Sequence, residues 1–264
     1  MSKGRIVLGA VTVIVGLAAL GIVAANPVAH SEVHTQSWSF KGFFGSFDQA
    51  QVKRGFQIYK DVCSGCHSMH LLAYRDLHDI GFSEDEVKAI AEEVQVQDGP
   101  NDAGDMFDRP GRPSDHFKSP FANEQQARAS NNGALPPDLS LIAKSRAGAG
   151  FLGHDGADYV YSLMTGYEEP PADVKVPEGM HYNKAFKGHQ IAMPPPLSDG
   201  AVTYADGTEA TLDQEAKDIA VFLTWAAEGN LEERHRTGIK AVLFLVIFTV
   251  LAYATKRRVW ASVH

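Results

Sequence analysis

The chain has 264 residues, 44% hydrophobic and 21% charged, with 24 Gly and 13 Pro, proportions that exclude a disordered or collagen-like chain and suit one or two folded domains. Its two cysteines exclude a disulfide scaffold, and the length suffices to bury a core without one. The net charge is −8, from 24 Lys and Arg against 32 Asp and Glu, and six of the basic residues (Lys3, Arg5, Lys240, Lys256, Arg257 and Arg258) flank a more acidic body. Such a body repels phosphates, which excludes a nucleic-acid partner and favours a basic one.

The first element in chain order is an uncharged apolar run from Ile6 to Val23, preceded by Lys3 and Arg5 and followed by Ala24 and Ala25. This pattern predicts a secretory signal peptide over residues 1–25, with Val23 and Ala25 offering a cleavage site before Asn26. The run is longer than the usual core of roughly 7 to 15 residues, so an uncleaved anchor is the alternative. Next, Asp48 to Val62 reads as a helix: Asp48 is a good N-cap, Gln51 follows three residues later, and Phe56, Tyr59 and Cys63 recur at helical spacing.

That helix runs into Cys63-Ser64-Gly65-Cys66-His67, the C-x-x-C-H pattern of c-type haem attachment. Two thiols one turn apart can each add to a haem vinyl group, while the next residue places an imidazole under the iron. A zinc site would want two further ligands at similar spacing, and no other cysteine and no suitably placed histidine pair supplies them. A thioredoxin-like pair would sit at a strand-to-helix turn, whereas the segment before Cys63 is helical. A plain disulfide across so short a loop is unusual.

An iron with one axial His67 needs a sixth ligand or an open site. Met69 is two residues past His67 and cannot easily reach the opposite haem face. Met106 lies in an acidic segment, Met164 falls in the helical pattern Tyr159 to Thr165, and Met180 sits in a loop with His181. Met193 precedes Pro194, Pro195 and Pro196, which hold an irregular segment extended and stiff enough to set a thioether at a defined distance. Met193 is therefore the expected distal ligand, with His189 and His181 the alternatives. Between His67 and Met193 lie 125 residues, an excess expected to make subunit contacts and shield the haem.

Within that stretch, Ser83 to Asp108 holds Glu84, Asp85, Glu86, Glu92, Glu93, Asp98, Asp102, Asp105 and Asp108 against Lys88 alone. The run reads either as a solvated face or as a field that steers a basic partner. Farther on, Ile219, Phe222, Leu223 and Ala226 mark an amphipathic helix over Leu212 to Glu228. Gly55 on the first helix would let an aromatic such as Phe222 or Trp225 approach closely. The chain then turns apolar from Ile239 to Ala254, broken by Lys240, and ends in a basic cluster. This predicts a transmembrane helix over 237–255, a cytoplasmic tail over 256–264, and the acidic body outside.

The sequence as a whole resembles cytochrome c1, the haem subunit of the cytochrome bc1 complex, particularly its bacterial members. The likeness rests on Arg54-Gly55-Phe56-Gln57-Ile58-Tyr59 before Cys63 to His67, and on Asn131-Asn132-Gly133-Ala134-Leu135-Pro136-Pro137-Asp138-Leu139-Ser140. It continues in Tyr159 to Pro171, Met193-Pro194-Pro195-Pro196, and Trp225-Ala226-Ala227-Glu228 ahead of the C-terminal anchor. The resemblance implies an all-α, cytochrome c-like haem domain over 26–236 with long loop insertions, plus the single C-terminal transmembrane helix.

Residue by residue, it implies thioether bonds to one haem c at Cys63 and Cys66, proximal ligation by His67 and distal ligation by Met193. It also implies Arg146 as a propionate partner, Tyr159 at the haem edge and the Pro137 carbonyl as acceptor for the His67 ring. Some bacterial members carry an additional cysteine pair near the distal ligand; this chain has none, so packing and prolines are expected to brace Met193. The implied function is an electron-transfer subunit, not an enzyme by itself, in the bacterial inner membrane with the haem domain in the periplasm. It takes single electrons from a Rieske iron-sulfur protein beside a cytochrome b subunit and passes them to a soluble or anchored c-type cytochrome. Two other classes stay open: an anchored c-type cytochrome of another respiratory component, and a haem enzyme or gas sensor with an open sixth position.

Overall fold

The computed structural model describes residues 31–148 and 155–262; the expected signal segment, residues 1–25, lies outside them. Helix α1 (Gln49–Asp61) starts where expected, because the Asp48 carboxylate accepts from the Ala50 and Gln51 amides at 3.0 and 3.3 Å. Helix α2 (Glu84–Glu92) is capped by Ser83, whose amide and hydroxyl in turn bind the Glu86 carboxylate. The shorter helices α3 (Glu124–Ser130) and α4 (Ile142–Ser145) follow, then α5 (Gly156–Thr165). Helix α6 (Leu212–Ala227) matches the predicted amphipathic helix, and α7 (Leu231–Trp260) closes the chain.

The core forms where α1 crosses α6. A methyl group built on Gly55 would lie 2.1 Å from the Asp218 carbonyl oxygen and 2.5 Å from the Phe222 Cβ, so only glycine lets the two backbones approach this closely. Around that crossing the Phe56 ring lies 5.8 Å from Phe222 and 6.0 Å from Phe117, and Tyr59 lies 5.7 Å from Phe117. The neighbouring Arg54 reaches from α1 to the fully buried Asp218 at 2.8 Å and to Asp206 at 3.0 Å. Gln57 ties the same face to the Thr203 carbonyl at 2.7 Å. Within the motif, Arg54, Gly55, Phe56, Gln57 and Tyr59 thus each meet α6 or the loop before it.

The long segment after the Cys/His motif folds onto this core. Leu77, Ile80, Val87, Ala91 and Phe117 are buried in it. Besides helices the segment holds two small antiparallel pairs, β1 (Gln95–Asp98) with β2 (Phe107–Pro110) and β3 (His181–Tyr182) with β4 (Gln190–Ile191). These qualify the all-α expectation without changing the class. The first hairpin is clamped by Arg109, which pairs with both Asp98 and Asp115.

The stretch before α1 is pinned by the almost wholly buried Asp158 of α5. Its carboxylate accepts from the Gln36 amide at 2.9 Å, the Trp38 indole at 2.7 Å and Lys41 at 3.2 Å. Burial pushes this carboxyl up, but these bonds, with one from the Asp155 amide, outweigh burial and hold it below the usual carboxylate range. Helix α7 leaves the body three residues after α6 and carries a row of exposed apolar side chains from Val242 to Trp260. It is long and apolar enough to cross a membrane. It starts before and ends after the predicted 237–255 span: Glu232 and Glu233 lie in its first turn, Arg257 and Arg258 in its last, where each charge favours the helix dipole.

Two outcomes test this packing. Gly55→Ala forces α1 off α6 and lowers stability by about 3 kcal/mol, the upper range for overpacking, read by chemical denaturation of the haem-loaded protein. Asp158→Ala strands the Trp38 indole and costs about 3 kcal/mol. Because the Asp158 carboxyl is depressed in the fold, its contribution is present above the ordinary carboxylate value of about 4 and fades as pH falls through its lower folded value. The wild type therefore loses stability on acidification over that window, whereas Asp158→Ala lacks this component.

Candidate functional site

The proximal half of the site begins where α1 ends. The chain tightens into a 3-10 turn at Cys63–Gly65, with the Cys66 and His67 amides both bonded to the Cys63 carbonyl at 3.1 and 2.9 Å. The two cysteines are not joined in a disulfide; Cys63 is half-buried against the core and Cys66 exposed. Burial first, and then the neighbouring Cys66, push the Cys63 thiol up to about 12.

The His67 ring is oriented by one bond: Nδ1 lies 2.8 Å from the Pro137 carbonyl oxygen. A carbonyl can only accept, so Nδ1 carries the proton and Nε2 keeps its lone pair. Burial lowers the pKa of this ring, with the Pro137 bond and Asp138 opposing it, which keeps the imidazole neutral. The structure thus brings Pro137 to His67 from 70 positions away.

What holds Pro137 there is Asp138, a residue not singled out from the sequence. Its carboxylate accepts from the Ser68 hydroxyl at 2.7 Å, the His70 amide at 3.0 Å and ring at 2.6 Å, and the Ser140 amide at 2.9 Å. The Leu139 amide donates to the Ser68 carbonyl at 2.8 Å and the Leu71 amide to the Ser140 hydroxyl at 3.1 Å. Burial would push the Asp138 carboxyl up, but these bonds prevail and hold it well below the usual range. The only sequence signal was the Asp-x-Ser pattern of an Asx turn, too common to single out.

The distal half is hung from α5. Met193 is half-buried two residues past β4, and the Tyr167 hydroxyl donates to its backbone carbonyl at 3.0 Å. The brace on Met193 is therefore not packing and prolines alone, as expected from the absence of a further cysteine pair, but includes a hydrogen bond. Behind it the buried Asn183 donates to the Leu163 carbonyl at 2.8 Å and accepts from the Ala185 and Phe186 amides. Of the alternatives to Met193, His189 points Nδ1 at the Asn183 carbonyl at 3.3 Å and packs on Tyr182. His181 sits in β3 beside a 520 Å³ cavity that also takes in Tyr167, Met180 and Pro195.

Met69 is fully buried in the core, Met106 is exposed, and Met164 packs against the core from α5. Arg146, exposed at the end of α4, is hydrogen-bonded to Tyr159 of α5. Burial raises the Tyr159 phenol, and Arg146 opposes it. Arg146 is thus tied to Tyr159, and Tyr167 separately to Met193. The site residues fit a covalently attached haem: a free thiol pair on one turn, an imidazole with its tautomer fixed, a thioether on a braced segment and an exposed cation.

Comparison with known proteins points the same way. Residues 38–263 match the model of the Cytochrome C1 family. The Rhodospirillum rubrum protein named cytochrome c1 is 46% identical, over 94% of this chain and 94% of its own length. A Solanum tuberosum protein named cytochrome c1-2, heme protein, mitochondrial, is 47% identical over 91% of this chain and 90% of its own. The cytochrome b/c1 protein of Bradyrhizobium diazoefficiens is 50% identical over 86% of this chain, which spans only 35% of that longer relative.

Removing one hydroxyl tests the distal brace. Tyr167→Phe deletes a bond with a net worth of about 1 kcal/mol, so amide exchange in the peptide around Met193 should quicken about fivefold at that energy. Exchange across α1 should stay unchanged; equal exchange around Met193 in both proteins would remove Tyr167 from its role.

Proposed function

The chain belongs to the cytochrome c1 family, whose members carry a covalently bound haem c and form the haem subunit of the bc1 complex, and from that premise we propose that it relays single electrons. In this reading Cys63 and Cys66 hold the haem by thioether bonds, His67 offers Nε2 as proximal ligand and Met193 its sulfur as distal ligand. Bound in this way, the haem supplies a one-electron ferric/ferrous couple. The observation that carries the reading is the His67 ring fixed by the Pro137 carbonyl at 2.8 Å at the end of a free Cys-x-x-Cys turn, the second-shell arrangement of an iron-bound imidazole.

The protein's own residues set the rest. Burial favours the neutral imidazole, Pro137 and Asp138 keep it oriented, Tyr167 fixes the backbone behind Met193, and Arg146 offers a guanidinium to a propionate beside Tyr159. A Met/His ligand set holds the potential above that of a bis-histidine site, suiting a carrier between an iron-sulfur donor and a c-type acceptor. The donor in this reading is a Rieske protein, seated beside a cytochrome b subunit; that a relative bears the name cytochrome b/c1 supports the second of these.

Charge supports a basic acceptor. Several acidic residues of the 83–108 run are engaged locally: Glu86 in the α2 cap, Glu92 near Lys88, Glu93 with Lys60, and Asp98 with Arg109. Glu84, Asp85, Asp102, Asp105 and Asp108 are exposed and make no ion pair among the described residues. These five provide the steering field. With α7 as anchor and Lys256, Arg257 and Arg258 at its far end, the haem domain over 26–236 faces the periplasm and the tail the cytoplasm.

Met193→Leu, made in the intact complex, tests the ligand set: the c-type haem should keep its thioether attachment, its potential should fall on the order of 0.2 V within the ~0.8 V range that axial ligands command, and the ferrous form should gain carbon monoxide binding. A wild-type haem that already binds carbon monoxide would favour the open-site reading. A reduced-minus-oxidised spectrum with c-type bands and no b-type bands in gently solubilised membranes would favour the anchored free cytochrome.

A further inference from the structure

Two phenylalanines stand out as unabsorbed by this function. Phe43 and Phe44 are 59% and 82% exposed, side by side with their rings edge-on at 5.2 Å. They form the tip of a turn built to hold them there. Gly42 takes a φ of +88°, the Gly45 amide donates to the Gly42 carbonyl at 3.2 Å, and a methyl on Gly45 would lie 2.2 Å from the Phe40 carbonyl oxygen. Phe40 and Trp38 are buried behind the turn, and Lys41 is drawn back to Asp158 and Asp155. The tip is therefore rigid, uncharged and apolar.

Its position is fixed against α7. The Glu232 carboxylate accepts from the Phe47 amide at 2.8 Å, and the His235 ring nitrogen approaches the Gly45 carbonyl at 3.3 Å. A hydrocarbon layer of about 30 Å takes roughly 20 helical residues at about 1.5 Å each. Counted back from Thr255, the last residue before the basic cluster, that span reaches Arg236, one residue from His235, with Lys240 extending its ammonium outward. By that count, the turn falls at the outer hydrocarbon boundary of a bilayer crossed by α7.

We propose that the Phe43–Phe44 tip inserts into the interfacial layer of the bilayer beside α7, giving the haem domain a second membrane contact that restrains its tilt. The occupant is lipid and not protein. At 59% and 82% exposure the two rings offer about 200 to 350 Å², whereas a stable protein interface uses about 800 Å² per partner, and aromatic side chains are favoured at this depth. A rigid turn meets the interface without ordering cost. The proposal rests on α7 crossing the bilayer.

The test uses the full haem-loaded chain in phosphatidylcholine and phosphatidylglycerol vesicles. A nitroxide is placed on Phe44→Cys, with Phe43→Cys as a second variant, on Phe248→Cys in α7 and on the exposed Ala103→Cys. Thioether-bound Cys63 and Cys66 do not react. Collision with dissolved oxygen relative to a water-soluble nickel chelate should be several-fold higher at Phe44 and Phe43 than at Ala103, and lower than at Phe248. Labels at Phe43 and Phe44 as open to nickel as Ala103, beside a protected Phe248, would overturn the insertion alone. A Phe248 label open to nickel would overturn the anchor and the insertion together. Labels open in vesicles but shielded in the assembled complex would also overturn it, in favour of a protein partner.

Discussion

The close approach of α1 and α6 at Gly55 is the constraint on which the rest of the molecule hangs. Helix α1 ends in the Cys63 to His67 turn, and α6 is followed within three residues by the anchor helix α7. Locking the two helices backbone to backbone, with Arg54 clamping the buried Asp218 beside the contact, sets the proximal motif rigidly relative to the membrane. An electron carrier gains from such rigidity, because the distance and orientation between its cofactor and those of its partners are then set by the fold.

The His67 and Met193 sides of the candidate site are held by different means. The proximal side is a hydrogen-bonded zipper in which Asp138 gathers four donors and presents the Pro137 carbonyl to His67. The distal side is a short hairpin bolted to α5 by Asn183 and braced by Tyr167 at the backbone of Met193. A charged hub makes the first the stiffer of the two. The second depends on neutral bonds, so the Met193 segment is the more easily loosened of the two.

The acidic character of the body also divides on inspection of its partners. Part of the run between residues 83 and 108 caps a helix and clamps a hairpin, and part is left to solvent. Composition cannot separate those uses, since a capping glutamate and a steering glutamate are the same residue.

Local features were legible in the sequence by themselves. The N-cap at Asp48, the helix running into the Cys-x-x-Cys-His turn, the amphipathic α6, the long apolar α7 and the small residue at Gly55 all follow from spacing and residue type within a few positions. Pro137, Arg146 and Tyr159 came only through likeness to a family, and the structure supplies the physical link: a carbonyl for the His67 ring and a hydrogen-bonded pair across α4 and α5. Asp138, Asn183 and Tyr167 were not singled out individually, nor were the two short hairpins. Their roles rest on polar bonds spanning up to 70 positions, and such bonds leave no periodicity in the chain. What the sequence by itself determined was therefore helices α1 and α6, the apolar stretch of α7 though not its ends, and the chemistry of the motif, because those depend on neighbours one turn away; which carbonyl faces His67 and what braces Met193 were decided only by tertiary structure, because they depend on distances the chain closes when it folds.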